Sequence, residues 1–338
     1  MPMLDVFSED LFGVVSLTTA INKLPFKPNR LGELGIFKKG GITTTSVVVE
    51  EKHGRLALIP NVGRGADTTV FGGTPRQARS FLVTHLPQAA MVYADDVQNM
   101  RAFGSETTTE TVAKLVNDKL TNLRQNTEAT HEYHRVGGVH GVLLDADGTT
   151  EIYNWFTEFG ITKTTVTLDW NNANGVKIAA NEIIRTTEDA LGMTTYDHVH
   201  VMCGDQFFDG LTVKVETKDA YDRWKEGEFL RSSQVRKDFA YAGIIWENYR
   251  GKIGTLDFFD TNQGRGFPVG AADIFSEHYA PANYIETVNT MGKAVYAKQE
   301  RLKFDIGIEL QSQSNPMIMC NRPAVLIEVI ETGTNPAA

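Results

Sequence analysis

The chain has 338 residues, of which 41% are hydrophobic and 22% charged, the proportions of a soluble globular protein with room for one large or two ordinary domains. Its formal net charge of −9 argues against a protein that binds DNA tightly through the phosphates. Two cysteines, Cys203 and Cys320, are too few for a disulfide framework and indicate buried thiols in a reducing compartment.

The N-terminal residues predict a soluble protein that is made in a cytoplasm. Asp5, Glu9 and Asp10 stand where a signal peptide has its basic region. The uncharged stretch 11–22 is too short and too polar to span a bilayer. Residues 8–21 have the apolar spacing of a short amphipathic helix.

Residues 24–103 have the composition of extended chain, with few apolar faces large enough for a core. Pro25 and Pro28 favour extended geometry in the residues before them, and the stretch 42–49 is typical of a strand. So long a segment is improbable inside a compact domain unless it has a function. We predict an arm and a long hairpin that become buried only against neighbouring subunits, and we expect deletion of residues 41–100 to leave a soluble fold.

The strongest helix signal follows Gly104. Thr107 and Glu110 fit a capping box. Apolar residues then recur on one helical face, at Val112, Val116, Leu120 and Leu123. Gly137-Gly138 is typical of a helix end, which predicts a rod of about 45 Å. Because the apolar stripe fades after Leu123, we expect the second half of the helix to be wet or to face a polar partner.

The pair Asp147-Gly148 between two apolar runs predicts a hairpin over residues 142–153. From about residue 165 the pattern alternates between helix and strand. A helical face runs from Val176 to Leu191 and is closed by Gly192.

Two strands are predicted near the end of the chain, at 304–311 and 325–330. We expect them to return to the hairpin at 142–153. That return would create one discontinuous domain and one inserted domain of about 130 residues, an ordinary domain size.

Histidines supply the candidate metal ligands. His131 and His134 are three apart on the predicted helix, which is not the zincin spacing. His198 and His200 share one face of a predicted strand, with Cys203 nearby, but further ligands are not evident. We favour polar helix residues and a buried structural thiol, and keep a metal-dependent enzyme that uses these five residues as the alternative from another functional class.

Three glycine-containing loops are candidate ligand sites. The stretch 145–148 lacks the remaining ligands of a calcium loop, so a hairpin turn is favoured. The Gly-Arg-Gly loops at 63–65 and 264–266 lack the lysine and hydroxyl residue of a phosphate-binding loop. We therefore predict no catalytic residue, no cofactor and no metal.

Short blocks along the whole chain resemble the major capsid proteins of lambda-type tailed bacteriophages, the major head protein E family. The blocks follow the order of that family at residues 21–25, 34–37, 49–51, 64–65, 101–104, 144–148, 203–208, 279–290, 296–299, 313–316 and 322–323. A single dipeptide would carry no information, but so many in order make the resemblance specific.

The resemblance implies an α+β capsid protein fold with four parts. These are an N-terminal arm (1–40), an E-loop hairpin (41–103), a peripheral domain (105–165 and 300–338) that contains the spine helix (105–137), and an axial domain (166–299). It also implies a structural, non-enzymatic protein that forms the hexamers and pentamers of an icosahedral head around double-stranded DNA. An encapsulin-like compartment, which shares the fold and encloses cargo enzymes, is the alternative.

The same resemblance implies several partners and a place of assembly. The partners are further copies of the chain, a scaffolding protein, a portal and a small decoration protein, with no membrane. The virion is assembled in the cytoplasm of the host bacterium. The candidate contacts between subunits are Phe26, Leu34, Phe37, Val47, Val49, Arg64 and Arg76.

Overall fold

The computed structural model describes residues 14–23, 30–52, 76–96, 108–226, 238–254 and 256–337. Among the described α-helices are α1 (Val14–Lys23), α2 (Arg30–Leu34), α3 (Thr108–His140), α4 (Trp155–Phe159), α5 (Gly175–Leu191), α6 (Asp205–Val213) and α7 (Val215–Glu226). Within the described ranges, none of the helices combines the length and the apolar character needed to cross a membrane.

The strands of the described chain pair into several small sheets and one large one. Their bounds are β1 (Phe37–Gly41), β2 (Ser46–Lys52), β3 (Arg76–Leu82), β4 (Leu86–Tyr93), β5 (Val142–Leu144), β6 (Glu151–Asn154), β7 (Thr164–Asp169), β8 (His198–Cys203), β9 (Asp238–Tyr241), β10 (Ile244–Asn248), β11 (Lys252–Ile253), β12 (Leu256–Asp257), β13 (Gln263–Val269), β14 (Phe275–Tyr279), β15 (Tyr296–Arg301), β16 (Gly307–Ser314), β17 (Pro316–Cys320) and β18 (Ile327–Thr332). The largest sheet has the order β7-β18-β13-β8-β10-β9, and two three-stranded sheets have the orders β1-β14-β17 and β15-β16-β4.

Helix α3 has 33 residues and runs through both glycines that were predicted to end it. That prediction is wrong: the helix ends at His140, and Gly141 follows with a positive φ of 79°. A Cβ on Gly137 would lie 2.9 Å from the carbonyl oxygen of Val142, and one on Gly138 would lie 3.1 Å from the ring of Phe37. The two glycines therefore allow close packing instead of terminating the helix.

The two halves of α3 are buried by different chemistry. The apolar side chains of the first half pack with α1 and the sheet β15-β16-β4. Of the two alternatives for the second half, a wet surface is excluded, because polar residues there are less than 10% exposed, namely Thr127, Glu128, His131, Glu132, His134 and Arg135. The other alternative, a surface that faces polar partners, fits the hydrogen bonds of His131, Glu132 and Arg135. The partners come from other elements: Ser314 on β16 for His131, Tyr249 after β10 for Glu132, and Glu277 on β14 for Arg135. The first-turn capping box involves Thr107, which lies outside the described residues.

The last strands do not return to the hairpin at 142–153, so that expectation is also wrong. Strand β18 lies between β7, to which it is parallel, and β13, to which it is antiparallel. Strand β16 pairs with β15 and β4, because its apolar face joins the core around α1 and α3. The hairpin predicted from Asp147-Gly148 is confirmed, with β5 and β6 paired to each other.

The described part of residues 24–103 belongs to the body of the chain. Leu31 is fully buried, and Phe81 and Val92 are 3% and 0% exposed. Strand β1 pairs in parallel with β14, and β4 forms an edge of the sheet β15-β16-β4. The prediction that this region becomes buried only against neighbours is therefore wrong for these residues. Their partners come from later parts of the same chain, such as Glu132 for Leu31 and Trp155 for Phe81, and deleting 41–100 would remove β4 together with core residues.

Candidate assembly surfaces and their anchors

The predicted arm includes residues 30–36, which pack on the body of the chain and which we call the docked arm segment. It is fixed by the carboxylate of Glu132 on α3, which is fully buried. The backbone N–H groups of Leu31 and Gly32 donate to its two oxygens at 2.7 and 3.2 Å. The hydroxyl of Tyr249 donates to it at 3.1 Å. Helix α2 thereby gains partners for N–H groups that its own short length leaves unpaired.

Arg135 ties the same carboxylate to strand β14. Its guanidinium donates to Glu277 at 2.8 and 3.1 Å and to Glu132 at 3.2 Å. Burial opposes the charge on Arg135, but hydrogen bonding and attraction to Glu277 outweigh it and raise the pKa of the guanidinium. Tyr279 donates to Glu277 as well, and burial together with that carboxylate raises the pKa of the phenol. The network joins the docked arm segment, helix α3 and the sheet β1-β14-β17.

A second anchor joins the docked arm segment to the six-stranded sheet. Nε of Arg30 lies 2.5 Å from Oε1 of Glu247 on β10, and Nε2 of His200 on β8 lies 3.0 Å from Oε2 of the same carboxylate. Glu247 and His200 are each 1% exposed. Burial opposes the charge of Glu247, but its contacts with His200 and Arg30 lower the pKa of the carboxyl below the ordinary value.

The hairpin β2–β3 has one face inside the molecule. Val47 and Phe81 are cross-strand partners and both are buried. The Phe81 ring meets Tyr153 and Trp155 edge-on, with ring centroids 5.6 and 5.4 Å apart. The hydroxyl of Tyr153 also donates to the Leu82 carbonyl at 2.9 Å. Aromatic packing of this kind holds the base of the hairpin on the main core.

The opposite face of the hairpin carries two exposed apolar side chains between serines. Val48 is 60% exposed and Leu82 is 67% exposed. Side chains alternate along a strand, so Val48 points away from the side that Val47 and Val49 occupy. Residues Ser46 and Leu82 are cross-strand partners, as are Val48 and Ser80, which puts Val48 and Leu82 on one surface.

The structure separates the predicted contact residues into three groups. Phe37 and Val47 are 5% and 6% exposed and already buried in the main core of the chain itself, contrary to the expectation that a neighbour would bury them. Leu34 and Val49 are half-buried against the same core. Arg76 begins β3 opposite Lys52, while Phe26 and Arg64 lie outside the described residues. Contact of these residues with another subunit stays a prediction.

The histidines weighed as metal ligands lie in two separate places. Nε2 of His131 lies 2.8 Å from the hydroxyl of Ser314, and burial lowers the pKa of His134 to about 4. The rings of His198 and His200 are 6.2 Å apart in the other place. Across the described ranges, no three His, Cys, Asp or Glu side chains are grouped as a metal site. Cys203 is buried, which raises its thiol pKa.

The anchoring charges were missed in the sequence. Glu247 follows Ile245 and Trp246 in the strand IIWEN, and Glu277 lies in a strand with an aromatic residue at each end, FSEHY. A carboxylate within such a run is a signal for a buried partner, because an unpaired buried charge is costly. The partners themselves, Arg30 and Arg135, carry no comparable local signal.

Comparison with known proteins places this architecture among phage shell proteins. A prophage protein of Escherichia coli CFT073, assigned as a capsid protein, overlaps with a TM-score of 0.59 at 13% identity, covering 95% of this chain and 99% of that one. The major capsid protein of Salmonella phage Felix O1 is 25% identical over 364 aligned positions, covering 97% of this chain and 98% of that protein. The major capsid protein of Pseudomonas phage KPP10 is also 25% identical, covering 94% and 96%.

The fold is therefore that of a tailed-phage capsid protein, and the predicted α+β capsid architecture is confirmed. The model of the family described as phage major capsid protein E matches residues 13–330, and the chain belongs to that family. It is a structural component of the virion, a major capsid protein of the icosahedral head, as the resemblance predicted. The family match favours a phage head over an encapsulin-like compartment or a metal-dependent enzyme.

Proposed function

We propose that copies of this chain form hexamers and pentamers, which close into the icosahedral head around double-stranded phage DNA. The observation that carries this proposal is the family match over residues 13–330. Assembly takes place in the host bacterial cytoplasm on a scaffolding protein, includes a portal, and is followed by binding of a small decoration protein. The chain acts by binding its own copies and carries no catalytic activity.

We also propose the four-part division of the chain. The arm is 1–40, the E-loop hairpin 41–103, the peripheral domain 105–165 with 300–338, and the axial domain 166–299. The sheet β15-β16-β4 with α1 and α3 supports a peripheral unit, and the six-stranded sheet supports an axial unit. We make one change to this division: strand β18 lies within 300–338 but pairs in the six-stranded sheet, so we move it from the peripheral to the axial domain.

The outer face of the hairpin β2–β3 is the contact surface that we propose for a neighbouring subunit. Its Val48 and Leu82 are exposed in the single chain, whereas the inner face is already filled. Full burial of each of these side chains against a neighbour would contribute about 1.5–3 kcal/mol to the free energy of association. A shell repeats the contact at every subunit, so these contributions add up over the whole particle. The formal net charge of −9 disfavours adhesion of the packaged DNA to the wall.

A deletion tests the role of the hairpin without removing core strands. Lys52 and Arg76 are cross-strand partners, so residues 53–75 can be replaced by an Asn-Gly turn. We expect the shortened chain, produced together with the phage head-assembly genes, to be folded and soluble but unable to form shells in electron microscopy. Normal heads from this variant would contradict a role of residues 53–75 of the E-loop hairpin in contacts between subunits, while the outer face of β2–β3 is tested separately.

A point substitution tests the outer face itself. In Val48→Asp, a charge on the proposed contact surface should prevent shell formation because it would be buried without a partner. Val48→Ile is the matched control, since it keeps an apolar β-branched side chain, and it should assemble normally. Circular dichroism shows whether both chains fold, and equal particle yields from the two would contradict the assignment of this face.

A further inference from the structure

The contact between Arg30 and Glu247 is the single described ion pair that ties the docked arm segment directly to the six-stranded sheet. Glu247 is 1% exposed and the Arg30 side chain is 15% exposed, so the contact is largely shielded from solvent. An exposed pair of this type would contribute little, whereas a shielded one responds strongly to the loss of a partner. The docked arm segment therefore supplies the guanidinium of Arg30 to the buried carboxylate of Glu247 in the six-stranded sheet.

Several ionisable groups of the described chain surround this contact. Nε2 of His200 on β8 lies 3.0 Å from Oε2 of Glu247. The pKa of Asp238 on β9 is raised, mainly by burial and also by the nearby negative charge of Glu247. Phe267 on β13 stacks on the His200 ring and carries no charge. The remaining groups that influence the cluster are Glu33 on α2 and His198 and Cys203 on β8.

We propose that the docked arm segment is a proton-linked latch, in which release of Arg30 from Glu247 is accompanied by proton uptake in the cluster of Asp238 and Glu247, which are cross-strand partners. The sign follows from the charges. A nearby positive charge opposes protonation, so the cluster binds protons more tightly once the guanidinium has left. By linkage, low pH favours release of the segment and high pH favours docking. The direction holds whichever member of the cluster receives the proton.

Two backbone amides report directly on the latch. The N–H groups of Leu31 and Gly32 donate to Glu132 in the docked state, and release exposes them to exchange. Hydrogen exchange of the unassembled chain, corrected for the intrinsic rate at each pH, gives the opening equilibrium. We expect this equilibrium to rise as the pH is lowered from 8 to 5, by up to about tenfold per pH unit for each proton bound. The amide of Val201, inside the six-stranded sheet, should not follow this slope.

Substitutions separate the latch from a purely structural contact. Arg30→Lys keeps the cation and should retain the pH slope, whereas Arg30→Gln should raise opening at all pH values and lose the slope. Lys38→Gln is the control, because it removes a cation from the exposed pair with Asp273 and should change neither quantity. If Arg30→Gln does not fold, Glu247→Gln must reduce the slope.

Equal opening at all pH values in the unchanged chain overturns the inference. So does a normal slope in Arg30→Gln or in Glu247→Gln. The measurement uses unassembled chains, so a result that contradicts the latch would not contradict the proposed shell function. Likewise, a failure of shell assembly would not contradict the latch.

Discussion

Replacing Arg135 with methionine tests the buried network beneath the arm. The methionine keeps the length of the apolar stem but removes three hydrogen bonds, at 2.8 and 3.1 Å to Glu277 and at 3.2 Å to Glu132. Both carboxylates are 0% exposed, so solvent does not replace the lost cation. Breaking a buried ion pair by removing one partner costs about 3–5 kcal/mol, and we expect a loss of that size in the free energy of unfolding.

A second variant isolates the cause of this loss. In Arg135→Met with Glu277→Gln, one of the uncompensated charges is also removed. We expect the double variant to be more stable than Arg135→Met alone by about 1–2 kcal/mol, since neighbouring substitutions in one network are not additive. Lys38→Met is the control, because its pair with Asp273 is exposed and its removal should change stability by at most about 0.5 kcal/mol.

The assay is denaturant unfolding of the unassembled chain followed by tryptophan fluorescence. Trp155 lies in the main core and Trp246 in the core of the six-stranded sheet, so fluorescence reports on the unfolding of both cores. Single-tryptophan forms show whether the two units unfold together. A loss below about 1 kcal/mol in Arg135→Met, or a double variant less stable than the single one, would refute the reasoning about the buried charge.

Two further predictions concern glycine positions and pH. Gly141→Ala should lower the free energy of unfolding by about 2–5 kcal/mol, because φ is +79° and the new Cβ would lie 2.3 Å from the Phe156 ring. Gly160→Ala, with φ +66° and open space, should cost about 1–2 kcal/mol, and equal losses in denaturant unfolding would contradict this account. Burial lowers the pKa of His134 to about 4 and that of His140 to about 3, so the unfolded chain binds more protons below about pH 6.5. Stability should therefore fall as the pH drops from about 6.5 towards 4, by up to about 1.4 kcal/mol per pH unit for each histidine, and an unchanged slope in His134→Gln would rule out that residue as a cause.

Features that depend on residues adjacent in the sequence were predicted correctly. The hairpin at Asp147-Gly148 is present because Gly148 adopts a φ of 72° that other residues disfavour. The helix predicted from Val176 to Leu191 is α5, and Gly192 follows it with a positive φ of 62°. The ordered blocks along the chain identified the family, because family membership is a property of the sequence itself.

The predictions that failed depended on contacts between distant residues. Gly137 and Gly138 have the chemistry of a helix end, but the close approach of Val142 and Phe37 decides their role. The polar second half of α3 has the pattern either of a solvated surface or of one that faces polar partners, and the pattern alone does not distinguish them. Its partners come from far along the chain, as with Arg135 and Glu277, which are 142 positions apart.

What the sequence alone determined is the family, the fold class and the local elements, since backbone chemistry and short-range spacing specify them. The tertiary structure decided which faces are buried, the place of β18 between β7 and β13, and the two anchors of the arm. The physical reason is that burial of a charge or of an apolar face depends on which residues pack against it. Those residues are often far away in the sequence, and a local sequence pattern does not show which of them come close in space.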